Sequence, residues 1–596
     1  MQPVPWPEPD PQVAAAIGAM YGSRKTERPL AVEIRDRLGQ WLADEDFAAA
    51  FGIRGRPGWA PSRLALVTVL QRAEKLTDRA AAEAVRARLD WKYLLGLPVD
   101  DPGFDHTVLA EFRGKVAGAG LERVALDALL AKLAAYGLVR GGGKQRTDST
   151  HVVAAVAALN RLELAGESVR AAVEALAAAH PDWVEQRICV PDWARRYGTP
   201  MTSWRPPASQ AKQDELAIAY ARDGYALLEA VYDESSPAWL RELPAVDVLR
   251  RVLVQNYTRA ITGGKEVIKR REKEPEGDGL PPGHARIASP YDTDARWGVK
   301  REEFWLGYKL HVTETCDDPP PCTCGLAGAA GQAAAGSAGA GAQDRGHDKS
   351  CAHLVFPNLI THVATTDATV TDNQMTTAIC EDLARKNLAP GRSYLDSGYL
   401  SAAVVVSALT TWGIALIGPL LADTSAQARA GAGYARADFT VDYATKTVTC
   451  PQGKRSVSWT PCAQRGKDAI VATFSPGDCG PCPARSLCTT SGRNRRQLTV
   501  LPRGLAEAQA AARAAEKTIP FQADYARRGG VEGTMHQAIS HGARRARYRG
   551  LPKTRLDHVY MACALNLLRL EAYWTGTPLD RRRTSHLARL ELGLVA

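Results

Sequence analysis

The sequence predicts a multidomain α/β protein built on a mixed sheet, with a helical N-terminal domain, a helical insertion and a cysteine-rich β insert. Three observations carry that prediction. From Ile287 the hydrophobic pattern turns from helical to strand-like, and with the run around Asp148 counted first the elements follow the order β, β, β, α, β, α, β. Helical periodicity fills two long blocks outside this series. Five of the twelve cysteines fall between Cys450 and Cys488. At 596 residues the chain has room for about three to five such units.

Residues 1–142 read as helices, from LGQWLADEDFAAAF through PSRLALVTVLQRAEKL to LERVALDALLAKLAAYGL, with Asp105 or Thr107 as an N-cap in GFDHTVLAEFR. A helical domain of this kind is expected to be a DNA reader if the units after it act on DNA, although any helical domain would share the pattern. Gly141, Gly142 and Gly143 end it, and residues 143–160 carry the first core strand, in which Asp148 is flanked by Thr147, Ser149 and Thr150. Residues 161–284 return to helix and close on the charged connector KEVIKRREKEPEGDGLPPG, whose basic run reads as solvated surface.

Residues 285–437 hold the remaining core strands: FWLGYKLHVTET, HLVFPNLITHVATT, RSYLDSGY and GIALIGPLL, with helices MTTAICEDLARKNL and SAAVVVSALTTWG on either side of the third. Residues 317–352 are an Ala/Gly-rich excursion expected to be flexible. The uncharged run Ser401–Ala422 nears membrane-span length, but Thr410, Thr411, Gly413, Gly418 and Pro419 interrupt it. It reads as a buried helix followed by a buried strand. Residues 438–498 form the Cys-rich insert, 499–575 the closing helices, and 576–596 a basic tail with Arg581, Arg582 and Arg583.

Lys plus Arg total 75 against 65 acids, a net charge of +10 that permits a nucleic-acid partner without requiring one. MQPVPWPEPDPQ lacks the basic and apolar regions of a signal peptide, so a cytoplasmic location with no membrane partner is expected. In that setting clustered cysteines are thiols or metal ligands rather than disulfides. Cys450 at CPQG, with Cys479, Cys482 and Cys488 spaced C-x2-C-x5-C, fits a tetrahedral zinc-ribbon-like site for a structural Zn2+. Cys462 is the competing ligand, and reduced buried thiols are the alternative. Arg493, Arg495 and Arg496 follow the last cysteine and either meet a DNA backbone or stay solvated. A second set, Cys316, Cys322, Cys324, His347, Cys351 and His353, surrounds the excursion at a spacing that matches no established module.

The candidate chemistry lies elsewhere. In FQADYARRGGVEGTMHQAISHGARRARYR, residues 521–549, a helix would set Tyr525, Arg528 and Glu532 at i, i+3 and i+7 on one face, although Gly529 and Gly530 weaken the helix. His536, His541, Arg544, Arg545, Arg547 and Arg549 follow as a cluster able to hold phosphate, or as the solvated side of an amphipathic helix. Asp148 in RTDSTH and Asp396 in YLDSGY each end a strand among small or polar residues. Adjacent strands would bring both carboxylates to one sheet edge, with Glu532 packed across it. Three such acids can hold two divalent cations about 4 Å apart for in-line phosphoryl transfer, and Mg2+ suits them. Asp292, Asp294, Asp367 and Asp372 are rival acids better read as turn caps or orienting groups, and Arg296 and Lys309 either touch phosphate or face solvent.

These residues carry a family resemblance. Tyr525, Arg528 and Glu532 match the Tyr-x2-Arg-x3-Glu signature of bacterial insertion-sequence DDE transposases, and the element order resembles their RNase H-like core. TDSTH, SPYDTDARWG, FWLGYKLHVTET, THVATTDATVTDN, LDSGY and RARYRGLPKTRLDHVYMACALNLLRL resemble family segments, as do the N-terminal helices with GFDHTVLAEFR. The resemblance implies a DNA transposase that uses Mg2+ or Mn2+ at Asp148, Asp396 and Glu532, with Tyr525 and Arg528 on DNA phosphates. It further implies a homodimer that pairs two DNA ends, and a DNA hairpin during excision. The family signature continues to a basic residue where this chain has Ile539; His541 or Arg544 would replace it. The alternatives are a metal-dependent nuclease without strand transfer and a non-catalytic, transposase-derived repressor.

Overall fold

A computed structural model describes residues 6–22, 28–52, 58–203, 207–263, 265–272, 279–300, 302–318, 357–423, 425–431, 433–464 and 466–575. Most of the 317–352 excursion, the histidines and most cysteines of the second Cys/His set (Cys322, Cys324, His347, Cys351, His353) and the tail 576–596 lie outside the described residues.

The sheet grows from β1 (Lys144–Val153), a strand whose KQRTDSTHVV pattern buries residues on both faces at its start. Two strands intervene before it finds its partners. β2 (Tyr257–Thr262) and β3 (Lys265–Arg270) pair as an antiparallel hairpin. The sequence reading made 257–262 helix and 265–270 a solvated connector, so this is a correction. The helix Pro244–Asn256 stops where Tyr257, Thr258, Ile261 and Thr262 favour extended backbone, and Gly263 takes the left-handed conformation (φ +60°) that turns the chain.

β4 (Arg296–Lys300) and β5 (Glu303–Thr315) form a second hairpin. β6 (Ile360–Asp367), β7 (Arg392–Tyr394) and β8 (Ala415–Ile417) complete the sheet. Its order is β6-β5-β1-β7-β8; β5 runs antiparallel to both β1 and β6, while β1, β7 and β8 are mutually parallel neighbours. In chain order β1, β5, β6, β7 and β8, with the two helices between the last three, are the elements read from the sequence; β4 and the spatial order are added by the structure. β4 covers the first part of β5, and Gly307 stands where β5 passes from β4 to β1. Its φ is +151°, and a Cβ there would lie 2.1 Å from the Val152 carbonyl oxygen, so only glycine lets the two strands close.

The helices Asp372–Arg385 and Ala402–Trp412 follow β6 and β7 and pack against each other. Ala402–Trp412 buries only Ala402 and Ala408 and leaves Leu409 exposed, where the sequence reading expected a buried helix. It covers the edge of the sheet, and an edge-covering helix needs one apolar stripe rather than an apolar circumference. No described helix is long and apolar enough to cross a membrane.

The closing helix Leu551–Thr575 is buried for most of its length and lies between β6 and the N-terminal helices Pro61–Ala73, Thr107–Gly118 and Val124–Ala135. One apolar cluster therefore runs from Leu30 and Phe47 through Val312 and Ile360 to Leu570. Asp105 accepts from the Thr107 amide at 2.9 Å and hydroxyl at 2.6 Å, steadying the entry to Thr107–Gly118. The helices between residues 161 and 256 gather a separate core around Val169, Tyr197, Tyr220 and Leu249. In the Cys-rich insert β9 (Thr440–Asp442) pairs with β10 (Thr447–Thr449), and β11 (Ser458–Gln464), β12 (Lys467–Thr473) and β13 (Gln497–Val500) make an antiparallel sheet. Its core is small: Phe439, Val448, Ala472, Phe474 and Leu498.

Candidate active site

Asp148 stands midway along β1, opposite Val312 of β5. Asp396 follows β7, the parallel neighbour of β1, and its carboxylate accepts from the Ser397 amide at 2.7 Å at the start of a short 3-10 turn. The parallel pairing ends at Arg146 opposite Tyr394, so the two acids follow it two residues further along; the sequence reading set Asp148 at the end of its strand, but β1 continues to Val153 because it goes on pairing with β5. Glu532 lies in the first turn of the helix Val531–Ala538, which packs against β1 and β5.

The stretch 521–549 is not one helix. Ile519–Tyr525 is α-helical, Ala526–Gly530 is 3-10, Val531–Ala538 is α-helical, and Ile539–Ala543 is a π turn that breaks at Gly542 (φ +93°). The tighter turn at the glycines keeps Arg528 and Glu532 on one side regardless. Arg528 Nη2 lies 2.9 Å from Asp148 Oδ2, and Nη1 lies 3.0 Å from Glu532 Oε1. The guanidinium is thus a bridge between an acid from β1 and an acid from the last third of the chain.

Burial shapes each group differently. The Asp148 side chain is 18% exposed and that of Arg528 16%, whereas Glu532 is 69% exposed. Burial pushes the Asp148 carboxyl up from its ordinary range, Arg528 and the Ser149 amide oppose this, and the nearby Asp396 adds to it. Burial also works against the Arg528 charge, but Asp148 and its other acidic neighbours outweigh it and raise its pKa. Tyr525 stacks on Phe521 at 5.9 Å, and its phenol is raised by burial and by Asp396 and Asp148. Tyr525, Arg528, Asp148, Asp396 and Glu532 therefore share one electrostatic neighbourhood.

What holds Glu532 there is a buried ion cluster that the sequence reading missed. Glu314 of β5 accepts from Arg146 Nε of β1 at 2.7 Å and from Arg569 Nη1 of the closing helix at 2.8 Å, and the Thr534 hydroxyl donates to the same carboxylate. Arg146 Nη1 also donates to the Arg527 carbonyl at 2.9 Å. Gly530 sits so close that a Cβ would lie 1.9 Å from Arg146 Nη1. Asp524 ties the preceding helix to β7 through the Tyr394 hydroxyl at 2.8 Å and Arg392 at 3.2 Å. The available signal was a glutamate inside the strand LHVTET, since a charge in a strand buried on both faces has to be paired.

Behind the acids, Ser149 Oγ donates to Asp372 Oδ1 at 3.3 Å, and Lys309 lies 3.5 Å from the same oxygen while donating to the Val370 carbonyl. Lys300, at the end of β4, acts on the Asp148 charge and was also missed. The rival acids are occupied: Asp292 accepts from the Tyr308 hydroxyl at 2.6 and 2.7 Å, Asp294 from the Leu551 amide at 2.9 Å, and Asp367 from the Thr369 amide at 2.8 Å. Arg296 is spent on the carbonyls of His284, Thr293 and Ala295.

The later basic residues are not all brought to the acids. Arg544 donates to His151 and the His151 carbonyl, and burial followed by Arg544 lowers the His151 pKa. Arg547 pairs with Asp78 at 3.2 Å, which ties it to the N-terminal helices. Arg545 is exposed beside Val153, and Arg549, also exposed, stacks over Tyr291 at 5.4 Å. Ile539 opens the π turn, and His541 is engaged by the Gln537 carbonyl at 2.9 Å.

Among the described residues no three His, Cys, Asp or Glu side chains are already arranged to hold a metal ion. At the acids the arrangement is that of carboxylates gathered about a single guanidinium, a hard-oxygen donor set whose charge Arg528 only partly offsets. Carboxylate oxygens are the donor chemistry that suits Mg2+ or Mn2+. The four insert cysteines, in contrast, line one small cavity away from this site.

Residues 449–571 match the family model described as Transposase DDE domain, and residues 23–115 match the one described as Transposase domain (DUF772). The first takes in the insert cysteines and the Tyr525–Glu532 stretch; the second lies in the N-terminal helices. No curated protein and no solved structure matches the chain.

Proposed function

With its two transposase-domain matches identifying this chain as an insertion-sequence DDE transposase, we propose that it cuts DNA at insertion-sequence ends and joins the cut ends to target DNA. The observation that carries the reading is the meeting of Asp148, Arg528 and Glu532, with Asp396 on the adjacent parallel strand. The strand order and senses support an RNase H-like core for it.

Asp148, Asp396 and Glu532 would hold two Mg2+ or Mn2+ ions, which supply Lewis-acid activation for in-line phosphoryl transfer. The chain's own groups do the rest. Arg528 exchanges its carboxylate partners for a DNA phosphate, a bidentate contact that its planar fork suits. Tyr525, raised by burial and by the acids, stays a neutral hydroxyl donor to a neighbouring phosphate. Exposed Arg545 and Arg549 extend the phosphate contact beyond the acids. Water attacks first and the freed 3′-hydroxyl second, so no covalent enzyme intermediate is required. Two chains pair two DNA ends. The N-terminal helices contribute to end binding, and the Cys-rich insert lies beside the core as an accessory module.

Glu532→Gln tests this. The variant should bind a DNA end as tightly as the parent and lose cleavage by at least about a hundredfold, the scale of removing an essential metal-binding or proton-transfer group. Unchanged cleavage would sink the assignment. Cleavage by the parent without joined products would leave a nuclease, and end binding without cleavage a repressor.

A further inference from the structure

The cysteine-rich insert presents a problem of size. The described residues of 434–500 gather one core cluster of five buried apolar side chains, Phe439, Val448, Ala472, Phe474 and Leu498, with Ala469, Ile470 and Val500 buried outside it. A core this small rarely holds a fold of some sixty residues without a staple. Cys450, Cys479 and Cys488 pack on that same cluster, half-buried and unbridged.

Four sulfurs from three separate segments converge there. Cys450, Cys479, Cys482 and Cys488 all line one cavity of about 30 Å³. Cys450 lies in a tight reversed turn: the Gly453 amide donates to its carbonyl at 2.8 Å, its own amide donates to Lys454, and the Lys454 amide donates to its sulfur at 3.3 Å. That turn fixes the direction of the Cys450 sulfur. The charges around the cavity suit an anionic centre. Lys454, Arg485 and Arg496 line it, and its one acid, Asp478, is paired with Lys454 at 3.4 Å. Four thiolates around a divalent ion would leave two negative charges, which these cations would offset.

We propose that Cys450, Cys479, Cys482 and Cys488 bind a single structural Zn2+ that folds the insert. The ion displaces the thiol protons to solvent and forms four Zn–S bonds; nothing is oxidised or reduced. The four sulfurs line the cavity, and rotation about their χ1 bonds would bring them onto one ion. Cys462 is excluded: it lies on β11 opposite Ala469 and does not line the cavity.

Metal analysis of full-length protein purified under reducing conditions tests this independently of any DNA activity. The parent should carry one zinc per chain, and Co2+ exchanged for it should show the intense absorption of a tetrahedral tetrathiolate centre. Cys482→Ser should lose most of the zinc, and Cys462→Ser should keep it. Should Cys482→Ser fail to fold, alkylation of the parent decides: Cys450, Cys479, Cys482 and Cys488 should be protected until a strong chelator is added. A parent with no zinc, zinc lost on Cys462→Ser, zinc retained on Cys482→Ser but lost with Asp148→Asn, or disulfides linking these cysteines would each overturn the proposal.

Discussion

Arg528 pairs with Asp148 at 2.9 Å and donates to Glu532 at 3.0 Å. On the proposed mechanism a divalent ion at these acids would displace that guanidinium. Arg528→Gln should therefore bind Mn2+ about tenfold more tightly at neutral pH, the effect of roughly 1.4 kcal/mol, while cutting DNA more slowly because the phosphate contact is gone. Titration calorimetry and an end-cleavage assay on one preparation would check both halves; weaker Mn2+ binding would contradict the first. The sign of the pH dependence follows from Asp148. Its carboxyl is raised by burial, and protons compete with metal for it, so Mn2+ affinity should fall with decreasing pH beginning above the usual aspartate range. Asp148 and Asp396 drew attention in the sequence because each stands among small or polar neighbours, and Glu532 because it shares a helical spacing with Tyr525 and Arg528. Lys300 did not, because its part depends on which strands lie side by side.

The elements that carry these residues are fixed by Glu314, Arg146 and Arg569. The Glu314 carboxylate is fully buried between two guanidinium groups. Glu314→Leu would leave both cations unpaired and should cost about 3–5 kcal/mol in urea unfolding. Replacing all three by apolar residues of similar volume should recover most of that loss, and failure to recover would mean that the charges do more than pair. Gly530 makes a finer test. Gly530→Ala should destabilise by about 1–3 kcal/mol because its Cβ meets the Arg146 guanidinium, while Gly529→Ala, with open space around it, should not. The strands were readable from alternation and the order of elements from their sequence. The hairpin β2–β3 was not, since YTRAIT continues the apolar spacing of the helix before it and only backbone preference separates the two. The broken helix at 526–543 was half legible: Gly529 and Gly530 announced the irregularity, but the π turn at Ile539 has no sequence mark of its own.

At the scale of the molecule, the N-terminal helices and the sheet share one apolar core, closed by the helix Leu551–Thr575. Arg72 pairs with Asp557 inside it, and Arg547 with Asp78 at its edge. A chain beginning at residue 143 should therefore fail to fold by circular dichroism and limited proteolysis, rather than yield a nuclease lacking a DNA reader. Composition and periodicity showed the N-terminal block as helical, but could not show that its apolar stripes face the closing helix instead of one another. The same closing helix supplies Arg569 to the cluster behind Glu532, so the N-terminal block supports the acid site mechanically. The most direct measurement of the proposed site is anomalous diffraction at the manganese edge from crystals grown with Mn2+ and a DNA end. Manganese peaks between Asp148, Asp396 and Glu532, with the Arg528 guanidinium withdrawn onto a DNA phosphate, are the expected result. Manganese bound elsewhere, or Arg528 still bridging Asp148 and Glu532 with DNA in place, would contradict it.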